Sequence, residues 1–230
     1  MRADVRRALV LGGTGAVGGA VLAALHEAGV GAEFTWRRSE ERARSLSAAL
    51  DATAHRVDLA DVEAIRALVD RLASEGRTPD VLVHAAGVLS PDWDESMAVC
   101  ARSALAACRA LAPHLASRNR GDFVLVGALD RTQSLPLPVA FSAAQAALAA
   151  MAMALAKEIG PRGLRVNVLA LGPLDAGLGL GLPEKVRADY VRFSALGRFG
   201  TPAEAARAIL WLALENTYLN GKVVAVNGGI

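Results

Sequence analysis

Short β-rich runs alternate with long amphipathic runs along the chain, and this alternation constrains the fold more than any other feature. The β-rich runs are residues 8–11, 33–36, 53–57, 81–84, 123–126, 166–169 and 222–226. The helical runs are residues 16–28, 39–50, 61–74, 95–117, 141–159 and 202–214. Several strands are continuously apolar, as strands covered on both faces are. The pattern predicts βαβ units, and hence an α/β protein built on a parallel sheet of seven strands.

Composition narrows the class of protein further. Hydrophobic residues make up 53% of the 230 residues and charged residues 21%, which excludes a disordered chain. The net charge of +2 does not indicate a nucleic-acid surface, and the longest apolar run, residues 146–156, is too short to cross a bilayer. Cys100 and Cys108 share one predicted helix, so they cannot pair there. No leader is visible at residues 1–7, so we expect a cytoplasmic protein with no membrane or nucleic-acid partner.

A glycine loop follows the first predicted strand. Gly13, Gly15 and Gly18 satisfy the G-x-G-x-x-G pattern between a strand and a helix, where the backbone can approach the pyrophosphate of a dinucleotide. The alternative is a tight turn between strand and helix that binds no ligand. The loop favours a single Rossmann-type, doubly wound domain over residues 1–230, with helices on both faces of the sheet. The predicted contacts in this loop are Gly12, Gly13, Thr14, Gly15, Val17 and Gly18.

The end of the second strand points to the type of dinucleotide. An enzyme that uses NAD is expected to carry an acidic residue there, but this sequence has Arg37 and Arg38. Forked, permanently charged guanidinium groups suit a 2′-phosphate, so we infer NADP(H). The alternative is a solvated arginine pair that caps the strand and the next helix. Asp58, after the third strand, is placed to face the adenine or to cap a helix.

These features, with several short segments, resemble the short-chain dehydrogenase/reductase family over almost the whole chain. The segments are Asp58-Leu59, HAAG at residues 84–87, LGP at 171–173, GRFGTP at 197–202, NGK at 220–222 and NGG at 227–229. The tail is similar to that of 3-oxoacyl-carrier-protein reductases, and HAAG is similar to a segment of polyketide ketoreductases. The resemblance implies further cofactor contacts at Leu59, Ala85, Ala86, Gly87, Gln145, Gly172 and Pro173.

The resemblance also locates four catalytic positions, and all four are replaced. The family uses a Tyr as proton donor, a Lys four residues later, a Ser thirteen residues before the Tyr, and an Asn on an earlier helix. The corresponding residues here are Phe141, Gln145, Ala128 and Cys100. Phe141 has no proton to give and Gln145 is neutral. Since general acid assistance contributes roughly 10²–10⁴-fold, we expect ordinary carbonyl reduction to be severely slowed.

Other residues could supply a proton instead. Asp130 and Arg131 follow the fifth predicted strand and should face the nicotinamide side, although a solvated loop is the simpler interpretation. Tyr190 could line a substrate lid as a proton donor. Cys100 and His84 are interpreted as a buried thiol and a structural hydrogen-bonding residue. The other histidines, His26, His55 and His114, are expected on helix or strand surfaces and show no metal-binding spacing, so no metal site is predicted.

Helices 95–117 and 141–159 are rich in alanine, which favours close packing between helices. The resemblance implies a homodimer or homotetramer; burial within the monomer is the alternative. We consider three functions. The first is an NADPH-dependent reductase of a ketone or ketoacyl group, free or carried by an acyl carrier. Its mechanism would differ from the usual one of the family. The second is a pseudoenzyme that supports an active homologue. The third is a cyclase or isomerase that uses the emptied pocket.

Overall fold

The structure is a computed structural model that describes residues 6–128 and 136–230. Seven parallel strands form one sheet in the order β3-β2-β1-β4-β5-β6-β7. The strands are β1 Arg7–Leu11, β2 Gly31–Trp36, β3 Thr53–Arg56, β4 Val81–His84, β5 Gly121–Gly127, β6 Leu164–Leu171 and β7 Val223–Val226. The strand order reverses direction between β1 and β4, the position where open α/β sheets form a crevice at the carboxyl ends of their strands. The predicted fold is confirmed.

Helices connect the strands and cover both faces of the sheet. The α-helices are α1 Ala16–Glu27, α2 Glu40–Leu50, α3 Val62–Ser74, α4 Trp93–Ser96, α5 Ser103–Leu115, α6 Val139–Ile159, α7 Glu184–Phe193 and α8 Pro202–Leu210. Short 3₁₀ segments lie at Gly160–Arg162 and Gly177–Gly181. The single helix predicted over residues 95–117 is wrong in detail, because a π-helical segment, Met97–Arg102, separates α4 from α5. A second π-helical segment, Trp211–Glu215, follows α8.

Alternate residues of each central strand enter two separate cores. In β1, Leu9 and Leu11 pack on the side covered by α3, α5 and α6. Ala8 and Val10 pack on the side covered by α1 and α8. All four side chains are fully buried, which explains why the central strands are continuously apolar in sequence.

Buried charges cluster at the amino edge of the sheet, opposite the crevice. Asp80 and Asp122 are each only 2% exposed. Arg6 and Arg165 both pair with Asp122 at 2.7 Å, and Arg120 pairs with Asp80 at 2.6 Å. Burial raises the pKa of Asp122, although the nearby arginines oppose that effect. These ion pairs join β1, β4, β5 and β6 at the end of the sheet that lies away from the crevice.

His55 is not on the surface, so that prediction was wrong. It is buried on β3, with Nε2 2.6 Å from a carboxylate oxygen of Glu33 on β2. Arg71 donates to its Nδ1 at 3.1 Å, and Arg77 holds the other carboxylate oxygen of Glu33 at 2.7 Å. The strand is short and outermost, but side chains from α3 and the following loop cover this face of it.

Helix α6, with the 3₁₀ turn that follows it, is long and apolar enough to cross a membrane by length and composition alone. In this fold α6 lies against the sheet, and Ala144, Leu148, Ala152 and Leu155 are buried beneath it. Packing on β5 and β6 therefore accounts for part of its apolar character, since 39% of its most apolar stretch is buried inside the protein.

Candidate functional site

Two adjoining cavities lie at the carboxyl edge of the sheet, where the strand order reverses. The outer cavity, of about 290 Å³, runs from Gly12 past Arg37 and Asp58. The inner cavity, of about 270 Å³, runs from Ala16 to Phe141. Residues 85–87 and Gly15 line both cavities, so together they form one continuous groove.

The glycine loop forms the floor of this groove, and its conformation depends on missing side chains. Gly12 has a φ of +84°, which disfavours any other residue. A Cβ on Gly18 would overlap the carbonyl oxygen of Gly12, and a Cβ on Gly13 would lie 2.5 Å from the Phe34 ring. Thr35 fixes the loop, since its Oγ1 accepts from the Gly12 N–H and its carbonyl accepts from the Gly13 N–H, both at 3.0 Å.

The loop leads directly into the N-terminus of α1, which is open to an anion. Gly15 is the N-cap residue, and no side chain accepts a hydrogen bond from the first turn. The first turn also contains no acidic residue. Because the first N–H groups of a helix and its macrodipole both favour negative charge, this end of α1 suits a pyrophosphate. The residues present therefore fit a bound dinucleotide.

The far end of the outer cavity carries the two arginines. Arg37 lies 3.3 Å from both carboxylate oxygens of Asp58, and Arg38 is exposed at the same rim. The backbone N–H of Ala60 and both arginines hold the pKa of Asp58 below its usual value, against a smaller opposing effect of burial. Asp58 does not cap α3; Asp61 does so by accepting from the first turn of the helix. Of the two roles considered for Asp58, the helix cap is wrong.

The inner cavity is apolar. Among the described residues that line it, Gln145 is the one polar side chain, and the rest are glycines, alanines, leucines, valines, a proline and Phe141. Oε1 of Gln145 accepts a hydrogen bond from the backbone N–H of Ala128 at 3.0 Å. This bond joins α6 to the end of β5.

Cys100, Phe141 and Ala128 lie together beside Gln145 in a small apolar cluster. Cys100 is fully buried in the π-helical segment, and its Sγ accepts from the Val88 N–H at 3.5 Å. Burial raises the pKa of its thiol, although hydrogen bonds from Val88 and Gln145 partly offset the effect. A neutral thiol with a raised pKa is a poor acid and a poor nucleophile at neutral pH.

His84, at the end of β4, makes the structural hydrogen bond predicted for it. Its Nε2 lies 2.6 Å from Oγ of Ser103, and that hydroxyl donates to the carbonyl of Val99 at 2.7 Å. The Ser103 oxygen is thus the acceptor, so Nε2 carries the hydrogen. Complete burial lowers the pKa of His84 to about 4. The neutral ring ties β4 to the start of α5 directly behind the groove.

Comparison with known proteins places these features in a family. Residues 14–230 match the family model described as Enoyl-(Acyl carrier protein) reductase. The 3-oxoacyl-[acyl-carrier-protein] reductase of Chlamydia muridarum is 28% identical over 98% of this chain and 97% of its own length. The D-threitol dehydrogenase of Mycolicibacterium smegmatis is 30% identical over 99% and 94%. A solved short-chain dehydrogenase/reductase from Serratia marcescens is 25% identical, covers 97% of each chain and has a TM-score of 0.87.

The chain belongs to the short-chain dehydrogenase/reductase family. This short-chain dehydrogenase/reductase brings nearly all of its predicted cofactor contacts to the groove. Outer-cavity residues among them are Gly12, Thr14, Gly15, Arg37, Arg38, Asp58, Leu59, Ala85, Ala86 and Gly87. Inner-cavity residues among them are Val17, Gln145, Gly172 and Pro173, together with Gly15 and residues 85–87. Gly13 and Gly18 line neither cavity but shape the loop from behind. Their roles in binding remain predictions.

The structure describes one of the residues that were considered as a replacement proton donor. Tyr190 is 3% exposed, lies outside the inner cavity's lining, and its hydroxyl donates to the carbonyl of Asn227 at 2.5 Å. The expectation that it lines a lid as a proton donor is therefore wrong. Its position in the amphipathic α7 turns the ring toward the β7 end, where it packs edge-on against Phe199. Asp130 and Arg131 lie outside the described residues.

Sequence reasoning missed the apolar wall of the inner cavity. Leu174, Leu178 and Leu182 line it, along with Gly177 and Gly179. Arg187 on α7 holds this wall by donating to the carbonyl of Gly179 at 3.0 Å. The alternation of glycine and leucine over residues 177–182 was the available signal, since it is too apolar for an ordinary surface loop.

Proposed function

We propose that the protein is an NADP(H)-dependent oxidoreductase that reduces a carbonyl compound without a tyrosine–lysine pair. One observation carries the proposal: an open, continuous groove runs from Arg37 and Arg38, across the glycine loop, to Gln145. If side chains had filled this groove, a catalytically inactive subunit or a cyclase would have been the favoured function instead. The sequence relatives that are named reductases and dehydrogenases support the redox reading.

Three parts of the groove would hold the cofactor. The N–H groups at the start of α1 would bind the pyrophosphate. Arg37 and Arg38 would bind a 2′-phosphate. Arg37 would then interact with that phosphate and with the Asp58 carboxylate at the same time. Gln145 and the Gly172-Pro173 turn would lie against the nicotinamide end. When bound, NADP(H) supplies two-electron redox chemistry.

The chain's own residues would position a substrate at the inner end but give it little acid–base help. Phe141 offers a ring face, and Gln145 offers a neutral hydrogen bond. Ala128 presents no hydroxyl, so the proton for a reduced carbonyl would come from water or from residues 129–135. Loss of a positioned acid costs roughly 10²–10⁴-fold in rate, so reduction of simple ketoacyl groups should be slow.

A second candidate function is that of a catalytically inactive subunit that binds and supports an active homologue. Phe141 and Cys100 stand where the family has its catalytic Tyr and Asn. Phe141 is 2% exposed and Cys100 is fully buried, and the two side chains lie in one apolar cluster. The outer face of α6 leaves Ala146, Ala150 and Met153 exposed. We propose that this face forms the interface of a homodimer or homotetramer, or of a pair with an active relative. Copurification from the native host would test that partnership.

The test of the main proposal uses two substitutions. NADPH oxidation with a panel of ketoacyl thioesters, free and carrier-bound, is compared between the wild type and the double variant Phe141→Tyr/Gln145→Lys. We expect slow turnover in the wild type and an increase on the order of 10²-fold or more in the double variant. Gln145→Lys alone is the matched control, since it adds the cation without the acid. If NADPH binds neither protein, the proposal fails.

A further inference from the structure

Residues 174–182, which we call the strap, form one wall of the inner cavity and lie over the point where the strand order reverses. A Cβ on Gly177 would lie 3.1 Å from the Cβ of Ala16, at the start of α1. A Cβ on Gly87, in the segment after β4, would lie 3.6 Å from Cδ1 of Leu178. The strap therefore approaches both of the elements that meet at the reversal.

The strap covers only one half of the groove. Its residues that line the inner cavity are Leu174, Ala176, Gly177, Leu178, Gly179 and Leu182. None of the described residues that line the outer cavity belongs to it. A dinucleotide placed as proposed above would have its nicotinamide half beneath the strap and its adenosine half, with the 2′-phosphate, outside it. The nicotinamide half would then be released when the strap moves away.

The two ends of the strap are held differently. At its beginning the backbone is fixed, because Leu174 forms a β-bridge with Gly200 and the Asp175 N–H donates to the Gly200 carbonyl at 2.9 Å. Farther along, Arg187 is the one side chain among the described residues that hydrogen-bonds to the strap. Its Nη1 donates to the carbonyl of Gly179 at 3.0 Å. The far part of the strap therefore depends on Arg187.

The rest of the strap contributes little to keeping it in place. Leu178 and Leu180 are 46% and 62% exposed, so they bury little apolar surface. Gly181 has no side chain, and a Cβ there would meet no atom within 4 Å. Segments with few buried apolar contacts open more readily than the core of a fold. One hydrogen bond can therefore change how often the strap is open.

Arg187 is itself held in position by its surroundings. The centre of its guanidinium lies 4.9 Å from the centroid of the Phe199 ring, a distance that suits a cation–π contact. Phe199 precedes Gly200, which holds the beginning of the strap, and the Tyr190 ring packs edge-on against it. Glu184, 3.7 Å from Nε of Arg187, is highly exposed and adds little, because water screens that pair. Arg187 thus connects the far part of the strap to the segment that holds its beginning.

We propose that Arg187 is a positioning residue that keeps the strap over the nicotinamide half of the cofactor and so sets the rate at which the dinucleotide is released. This inference rests on the proposed function, because it requires a dinucleotide in the groove. Arg187 is not among the described residues that line either cavity, so it acts through Gly179. Without its hydrogen bond the strap opens more often, and the adenosine half keeps all of its contacts.

Stopped-flow displacement of NADPH by excess NADP⁺ measures the release rate. In Arg187→Met the dissociation rate should rise about tenfold, the effect of one partly exposed hydrogen bond from a charged group. Arg187→Lys should restore most of the slow release, since an ammonium group can also donate to the Gly179 carbonyl and lie over Phe199. Lys185→Met is the matched control, because it removes an exposed cation from the same helix, and it should release NADPH at the wild-type rate.

A fragment of the cofactor separates this role from general support of the fold. Adenosine 2′,5′-bisphosphate fits the outer cavity alone, so its affinity by calorimetry should be the same in the wild type and in Arg187→Met. If the affinities for the fragment and for NADPH fall equally, Arg187 only supports the fold and the inference is overturned. An unchanged NADPH release rate in Arg187→Met would also overturn it, and the cofactor assignment would stand. If NADPH binds to no variant and not to the wild type, the proposed function and this inference both fail.

Discussion

The buried histidine behind the groove makes folding sensitive to mild acid. Complete burial holds the pKa of His84 at about 4, against 6.5 for an exposed histidine. The unfolded chain therefore binds a proton below about pH 6.5 that the folded protein takes up only near pH 4. Stability from this residue is complete above the unfolded pKa and is lost as the pH falls through this window. At about 1.4 kcal/mol per pKa unit, the loss approaches about 3 kcal/mol.

Chemical denaturation at several pH values between 7.5 and 4.0 measures this loss. The reference protein is His84→Gln, whose side chain can still donate to Ser103 but does not titrate. Other groups titrate in both proteins, so the difference in unfolding free energy between them isolates His84. This difference should shrink by about 3 kcal/mol, in favour of the variant, as the pH falls. Parallel pH profiles would refute the burial argument.

Two other substitutions test the loop and the last helix. In Gly18→Ala, the added methyl would overlap the Gly12 carbonyl, so NADPH affinity should fall at least tenfold by calorimetry; Gly181→Ala, which meets no atom within 4 Å, is the control and should bind normally. In Thr201→Ala, α8 loses the hydrogen bond from the Glu204 N–H to its cap, and thermal or chemical unfolding should show a loss of about 1 kcal/mol. Unchanged stability in that variant would mean that the capping box contributes little.

The sheet was predictable because most of its strands are short, largely apolar runs, and amphipathic helical runs separate them. Parallel pairing follows from that order, since the crossover in a βαβ unit returns the chain in the same direction. Even strand β2, which contains the charged Glu33, stays recognisable because Phe34 supplies the apolar core contact. The carboxyl-edge location of the groove then follows from the topology.

Several local features could not be predicted, because they depend on tertiary contacts that the hydrophobic pattern of the sequence does not reveal. The π-helical segment is one residue out of register with an α-helix, and hydrophobic spacing is too coarse to reveal that. Burial of His55 depends on Glu33 and on arginines distant in sequence. The orientation of Tyr190 depends on a carbonyl near the end of the chain. The apolar inner cavity similarly forms only when residues 171–182 fold over Phe141.

The central claim is that a groove for a phosphorylated dinucleotide persists beside an active site without its usual acid. Calorimetry with NADPH and NADH tests it most directly, on the wild type and on Arg37→Asp and Arg38→Asp. Arg66→Asp, an exposed arginine on α3, is the matched control. We predict tighter binding of NADPH than of NADH, with a loss of NADPH affinity in both groove variants and little change for NADH. Binding of neither dinucleotide, or equal effects on both, would contradict this account.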